Sequence, residues 1–208
     1  LEELEAMVRP ETKLIVLNNP NNPTGALMEA DALDAFVAIA RRVDAFVLCD
    51  EVYRGTNQTG DGFAPAMADI YEKGISVAGM SKTFSLAGLR LGWIAGPLDV
   101  LEAVSIHRDY NTISVGMLDD YFAAMALEAK DKILARSQQI TRGNLAILDA
   151  WVAQEPLMSY IKPKAGTTAL LKYTLDMPSR DFCVQLLEQT GVMFTPGSVM
   201  HMEGWLRI

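Results

Sequence analysis

Three continuous apolar runs constrain this chain more than any other feature: Leu14-Ile15-Val16-Leu17, Ala45-Phe46-Val47-Leu48-Cys49, and Ile75 to Met80. None alternates apolar with polar residues, so each reads as a strand buried on both faces rather than one with a wet side. Between the first two, Leu33, Phe36, Val37 and Ala40 fall at i, i+3, i+4 and i+7, which predicts a helix over Met28 to Val43. Strand, helix and strand in this form specify an α/β fold, a mostly parallel sheet sandwiched by helices.

Each run opens into residues that can do chemistry. The first ends in the turn formers Asn18-Asn19-Pro20-Asn21-Asn22-Pro23-Thr24-Gly25, the second in Asp50-Glu51-Val52-Tyr53, the third in Ser81-Lys82. The carboxyl ends of parallel strands are where α/β proteins build sites. Desolvation there favours the neutral form of Lys82, a nucleophile toward carbonyl carbon, which an arginine could not be. Arg90, planar and permanently cationic, suits a phosphate. On residue chemistry alone other readings stand beside these. Lys82 and Arg207 also read as surface residues with buried stems, Asp50 as a cap or turn acid, and Asn22 as a turn residue.

The rest of the chain carries further elements. A short helix around Pro65 to Glu72 leads into the third strand, and Leu91 to Gly96 forms a strand antiparallel to it, since the connection is too short for a crossover helix. Helical patterns cover Pro97 to Tyr110 and Val115 to Trp151, the second interrupted near Lys130-Asp131. After Pro156 come strands over Thr167 to Tyr173, Val192 to Thr195 and Trp205 to Ile208, with a helix over Ser179 to Gln189. This predicts a large α/β domain over 1–135, then an interdomain helix and a smaller α+β domain over 136–208. The chain opens without an initiator methionine and stops inside a strand-like run, which reads as a piece of a longer enzyme.

Composition excludes several function classes. The net charge of −8 argues against a nucleic-acid or anionic-membrane surface, and no run of apolar residues is long enough for a transmembrane helix. Cys49 and Cys183, far apart in apolar segments, read as free thiols of a reducing compartment, the cytoplasm. His107 and His201 offer no metal-ligand spacing.

The segment Ser81-Lys82-Thr83-Phe84-Ser85-Leu86-Ala87-Gly88-Leu89-Arg90-Leu91-Gly92-Trp93 resembles the cofactor-lysine segment of class I/II aminotransferases, the pyridoxal-phosphate enzymes of fold type I. Asn19 to Gly25 is similar to the family's Asn-Pro-x-Asn-Pro-Thr-Gly signature, Asp50 and Tyr53 to its Asp-x-x-Tyr pair, and Gly204 to Ile208 to its terminal arginine motif. The resemblance runs from about residue 9 to the end. It implies pyridoxal 5'-phosphate as cofactor, a small-molecule amino acid and 2-oxo acid as partners, and a homodimer at full length. It also implies roles. Lys82 carries the cofactor and moves the α-proton, Asp50 holds the pyridine nitrogen, Tyr53 and Asn22 meet the phenolic oxygen, and Ser81 and Arg90 bind the phosphate. Asn22 also orients the substrate, and Arg207 pairs with its α-carboxylate. The Asn22–Pro23 bond is expected cis. Gly79 departs from the pattern, standing where relatives often carry a serine or threonine that bonds the phosphate. Thr167 and Thr168 stand where many relatives have an aromatic, and suggest a polar substrate side chain. Transamination is the implied reaction. Oxidation, cyclisation or elimination with the same cofactor, or an inert aminotransferase-like module, are the alternatives.

Overall fold

The computed structural model describes residues 1–208. A short helix, α1 (Glu2–Met7), precedes β1 (Leu14–Asn18), α2 (Ala30–Arg42), β2 (Phe46–Asp50), α3 (Met67–Ile70), β3 (Gly74–Gly79) and β4 (Gly92–Ala95). These strands form one sheet in the order β1-β2-β3-β4. The first three are parallel, with Asn18 beside Asp50 and Asp50 beside Val77, so the chain leaves them along a common edge. β4 is antiparallel, Gly79 facing Gly92, as the short connection requires.

The apolar stripe of α2 is the one the spacing predicts. Leu33, Phe36, Val37 and Ala40 are all buried and form the main core with Ile15, Val47, Cys49, Met67 and Tyr71. Each large side chain buried there contributes about 1.5–3 kcal/mol. The two faces of the sheet are covered unequally within these residues. α2 and α3 pack on the face that carries Ile15, Val47 and Cys49, whereas Leu14, Val16 and Ile94 are 48, 67 and 40 % exposed. On that second face Ile75 of the inner strand β3 is buried, and the exposed residues lie on the outer strands β1 and β4.

Three helices follow: α4 (Leu98–Arg108), α5 (Met117–Glu128) and α6 (Lys130–Val152), the last two separated at Ala129, where the helical pattern breaks. α5 secures the lysine loop, because Ala123 and Ala126 pack on the fully buried Met80.

The carboxyl-terminal region has its own sheet. β5 (Met158–Tyr160), β6 (Leu170–Tyr173), β7 (Thr195–Pro196) and β8 (Trp205–Arg207) lie in the antiparallel order β5-β6-β8-β7, with α7 (Ser179–Thr190) alongside. Leu171, Tyr173, Cys183 and Leu206 form its core, against which Leu148 and Val152 of α6 pack. Three details differ from expectation. β5 has no signal in its three residues. β6 begins at Leu170 rather than Thr167. The edge strand is Thr195–Pro196 rather than Val192 to Thr195, because only those two residues pair with β8 before the chain turns.

The two sheets are stitched together through one segment. The N–H groups of Lys164 and Ala165 donate to Gly25 O at 2.9 and 3.1 Å, and Gly166 N–H donates to Thr56 Oγ1 at 2.8 Å. Cys49 and Cys183 are buried free thiols, and burial pushes the Cys49 thiol up to about 12. No helix is long and apolar enough to cross a membrane.

Candidate active site

The loop leaving β1 is held by asparagine side chains. Asn18 Nδ2 donates to Asp50 O at 2.9 Å while its Oδ1 accepts the Asn22 N–H at 2.8 Å. Buried Asn19 pairs with the Met28 main chain, donating at 3.1 Å and accepting at 2.8 Å, much as a neighbouring strand would. Asn21 Oδ1 accepts the Thr24 hydroxyl at 2.6 Å. The Asn22–Pro23 bond is cis as expected, and Asn19–Pro20, not foreseen, is cis too. Gly25 closes the loop at φ +68°, with room for no side chain: a Cβ there would stand 2.2 Å from Pro163 Cβ.

This scaffold aims Asn22 at Tyr53. Asn22 Nδ2 donates to the Tyr53 hydroxyl at 3.2 Å, and Asn22 Oδ1 is buried with no partner. Tyr53 is itself buried and follows β2 by three residues. Asp50, at the end of β2, accepts the Val52 N–H at 3.1 Å, which turns the chain toward Tyr53. Next to it, Glu51 is buried in the opposite direction. Its Oε1 accepts the Met67 N–H and the Ser76 hydroxyl, each at 2.7 Å, and burial raises its pKa. Asp50 thus faces the site while Glu51 braces the start of α3 and the side of β3.

The lysine loop is anchored around Lys82 rather than at it. Met80 is fully buried, and Thr83 Oγ1 is shared between Val52 O at 3.0 Å and Arg54 O at 2.8 Å, which ties the loop to the segment bearing Tyr53. Lys82 itself is exposed. The expected desolvation is therefore absent within these residues, since a strand end buries an amine only when something lies over it. Ser81 is half-buried and Arg90 exposed, the latter at φ 48° with its guanidinium donating to Ala87 O at 2.8 Å. Gly79 has a reason of its own. A Cβ there would stand 3.0 Å from Leu91 O and 3.2 Å from the Gly92 Cα, so β4 crosses too closely for the serine or threonine of relatives to fit without a shift.

Arg207, half-buried on β8, donates to Thr195 Oγ1 at 3.2 Å. The structure brings Asn22, Asp50, Tyr53 and the lysine loop to one edge of the sheet, but no hydrogen bond joins Arg90 or Arg207 to them. Residue types alone missed the parts that hold the site in place. Gln138 donates to Gly55 O at 3.2 Å and Asp61 O at 3.0 Å, and Arg142 to Asn57 O and Gly60 O, both at 2.9 Å. These two, one turn apart on α6, clamp the loop after Tyr53. Their only signal was the i, i+4 spacing of two long polar side chains.

Pyridoxal phosphate asks for an acid at its ring nitrogen, neutral donors at its phenolic oxygen, a lysine at its aldehyde and cations at its phosphate. The residues gathered here match in kind.

Comparison with known proteins agrees. The chain is 31 % identical to aromatic-amino-acid aminotransferase 2 of Thermococcus litoralis, with all of the chain and 55 % of that protein covered. It is 28 % identical to capreomycidine synthase of Streptomyces vinaceus, covering all of the chain and 54 % of that enzyme. A crystal structure of a pyridoxal-phosphate-dependent aminotransferase from Streptococcus suis superposes with a TM-score of 0.95 at 43 % identity, over all of this chain and 55 % of that one. The chain thus spans about half the length of the relatives it matches. The family model for aminotransferase class I and II matches residues 1–208 from end to end, and with four motifs standing in order on a fold of that type, this chain belongs to the class I and II aminotransferases.

Proposed function

We propose that the protein, at full length, is a pyridoxal-phosphate-dependent aminotransferase that moves an amino group between an amino acid and a 2-oxo acid. The observation that carries this reading is the pair of neutral donors Asn22 and Tyr53, joined at 3.2 Å and set beside Asp50 at the sheet edge that also bears Lys82. Bound there, the cofactor supplies an aldehyde that captures amines and a ring that accepts the electrons released at the substrate's α-carbon.

The chain's own residues do the rest. Asp50 keeps the ring nitrogen protonated, and Tyr53 and Asn22 bind the phenolic oxygen without adding charge. Ser81 and Arg90 hold the phosphate, with main-chain N–H groups serving where Gly79 offers no side chain. Asn22 and Arg207 orient the substrate, Arg207 by a bidentate pair with the α-carboxylate. Lys82 would hold the cofactor at its aldehyde, and its amine, when free, would move the proton at the substrate's α-carbon.

The same reading divides the chain into a cofactor domain over 1–135 and an interdomain helix with a smaller domain over 136–208. The boundary lies within α6, whose later residues pack on the second sheet. It also makes the full-length protein a cytoplasmic homodimer. The free buried thiols support the compartment, and the exposed apolar row Ile106, Tyr110, Ile113, Met117 and Leu118 supports a subunit contact.

A second reading, the same cofactor used for cyclisation or elimination, draws on the likeness to capreomycidine synthase. The deciding experiment gives the full-length protein a panel of 15N-labelled amino acids and a second 2-oxo acid without oxygen. We expect the label in the newly formed amino acid and one 2-oxo acid released per transfer. Label in ammonia, or turnover that requires oxygen, overturns the proposal.

A further inference from the structure

Lys82 and Tyr53 are delivered by different strands, Lys82 by the loop after β3 and Tyr53 by the turn after β2. The last main-chain hydrogen bond between the two paths runs from Glu51 N–H to Val77 O at 2.7 Å. Past it no main-chain bond joins residues 52–55 to residues 80–85, and the side chain of Thr83 takes over. Its hydroxyl proton is shared between Arg54 O at 2.8 Å and Val52 O at 3.0 Å, the carbonyls on either side of Tyr53. Neither carbonyl receives any other hydrogen bond from the chain. One hydroxyl thus straddles Tyr53. The rest of Thr83 is committed as well: it is 2 % exposed, and a Cβ on Gly55 would come within 2.8 Å of its methyl carbon. A valine would fill the same space without a donor, and a serine would donate without filling it.

Cofactor chemistry gives this tie a use. The aldehyde and the phenolic oxygen of pyridoxal phosphate sit on adjacent ring carbons, so the amine that meets one and the hydroxyl that meets the other have to be held at one spacing. Lys82 is exposed, and its placement falls to the loop main chain that Thr83 anchors. Tyr53 accepts from Asn22 Nδ2 at 3.2 Å, while its own hydroxyl proton is given to no group of the chain. That proton is the one the phenolic oxygen would receive.

We infer that Thr83 is a positioning residue: its hydroxyl fixes Tyr53 against Lys82, and so keeps the phenol's proton on the cofactor's phenolic oxygen. The inference rests on the proposed seating of the cofactor, and its test reads the cofactor's absorption rather than turnover. The phenolic oxygen is most negative once the proton it shares with the attached nitrogen is lost, so a donor there lowers the pH at which the visible band changes. In the full-length, cofactor-loaded protein we expect Tyr53→Phe to raise that midpoint by about one pH unit, the equivalent of one lost hydrogen bond to a charged group. Thr83→Val should reproduce about half of that rise or more, whereas Thr83→Ser should keep the wild-type midpoint although it loses the methyl contact with Gly55. Placed in the Tyr53→Phe protein, Thr83→Val should add nothing, because the group it acts through is already gone. A serine variant that shifts as the valine variant does would show that packing sets the site, and would overturn the inference. So would a valine variant with the wild-type midpoint, or a shift that persists in the Tyr53→Phe protein. Should Thr83→Val not fold, Thr83→Ala against Thr83→Ser isolates the hydroxyl instead, with the shift expected of alanine alone. The expected titrations in a protein that transfers no amino group would sink only the proposed reaction, and amino transfer with a midpoint indifferent to Thr83 would sink only this inference.

Discussion

Asn22 and Tyr53 stand on one side of the candidate site, Lys82 and Arg90 on the other, and the chain treats the two sides differently. Asn22 is reached through a lattice of amides, from Asp50 O through Asn18 to the Asn22 main chain, and ends on a buried phenol. Lys82 and Arg90 are exposed, and the loop between them is secured by its neighbours Met80 and Thr83. The first side is built to hold a group in one orientation, which takes rigidity. On the second, order is supplied next to Lys82 and Arg90 rather than on them. Substitutions should therefore separate. On the Lys82 side they should change chemistry and leave the fold alone, and on the Asn22 side they should change both.

The largest effect belongs to Lys82→Ala. On the proposed reading the substitution takes away the attachment point and the base together, and we expect single-turnover amino transfer in the full-length protein to fall by about 10^4-fold or more. Because Lys82 is exposed, the melting curve should move by no more than about 0.5 kcal/mol in stability. A Lys82→Ala protein that unfolds, or one that retains a borohydride-reducible lysine adduct and turnover, would break the comparison.

On the other side, Gly25→Ala should cost stability first. The substitution forces a side chain into left-handed backbone at φ +68° and drives a Cβ to 2.2 Å from Pro163, a seam between the two sheets. We expect a loss of about 2–4 kcal/mol in urea unfolding, combining the left-handed penalty with overpacking. A loss below about 0.5 kcal/mol would show that the Pro163 segment yields freely.

How much of this was legible follows the same division. The strand runs, the stripe of α2 and the motif residues could be read because each is local: Leu33, Phe36, Val37 and Ala40 announce their face by spacing, and Asn22, Asp50, Tyr53 and Lys82 stand at the ends of apolar runs. What was not legible depends on partners distant in sequence. Glu51 drew no reading of its own beside Asp50, and only the positions of Met67 and Ser76 make it a brace. Gly79 looked like a lost phosphate ligand, and the close approach of Leu91 O and Gly92 on the paired strand shows that a side chain there would need the neighbouring backbone to give. β5 was invisible because its three residues carry no period, and its pairing is decided by Tyr173 and Leu171 across the sheet.

Tyr53→Phe tests the rigid side with a single atom. Losing the hydroxyl leaves Asn22 with both polar ends unpaired, which should cost about 1–2 kcal/mol in stability. Cofactor retention should weaken about tenfold by dialysis, the equivalent of one lost hydrogen bond of about 1.4 kcal/mol. If cofactor binding weakens while unfolding is unchanged, Asn22 has re-aimed without penalty, and the rigidity ascribed to this side is overstated.

The smallest expected effect concerns Glu51, and it reads as a slope rather than an offset. Burial raises the pKa of this carboxyl, and the hydrogen bonds from Met67 N–H and the Ser76 hydroxyl, with the charge of Arg54, only partly oppose it. A group whose pKa is raised on folding contributes stability that is fully present below its unfolded value, near 4.5, and that is lost as pH rises through the folded value. Glu51→Gln keeps the accepting oxygen and the shape but does not titrate. It may not be judged by its stability at one pH, because the new NH2 group needs an acceptor of its own and adds a constant penalty. The difference between variant and wild type should instead drift in the variant's favour as pH rises above about 4.5. Urea unfolding across that range measures it. A difference that stays flat with pH would mean that Glu51 does not change protonation on folding, and that its brace between β3 and α3 is as solvated as the exposed loop around Lys82.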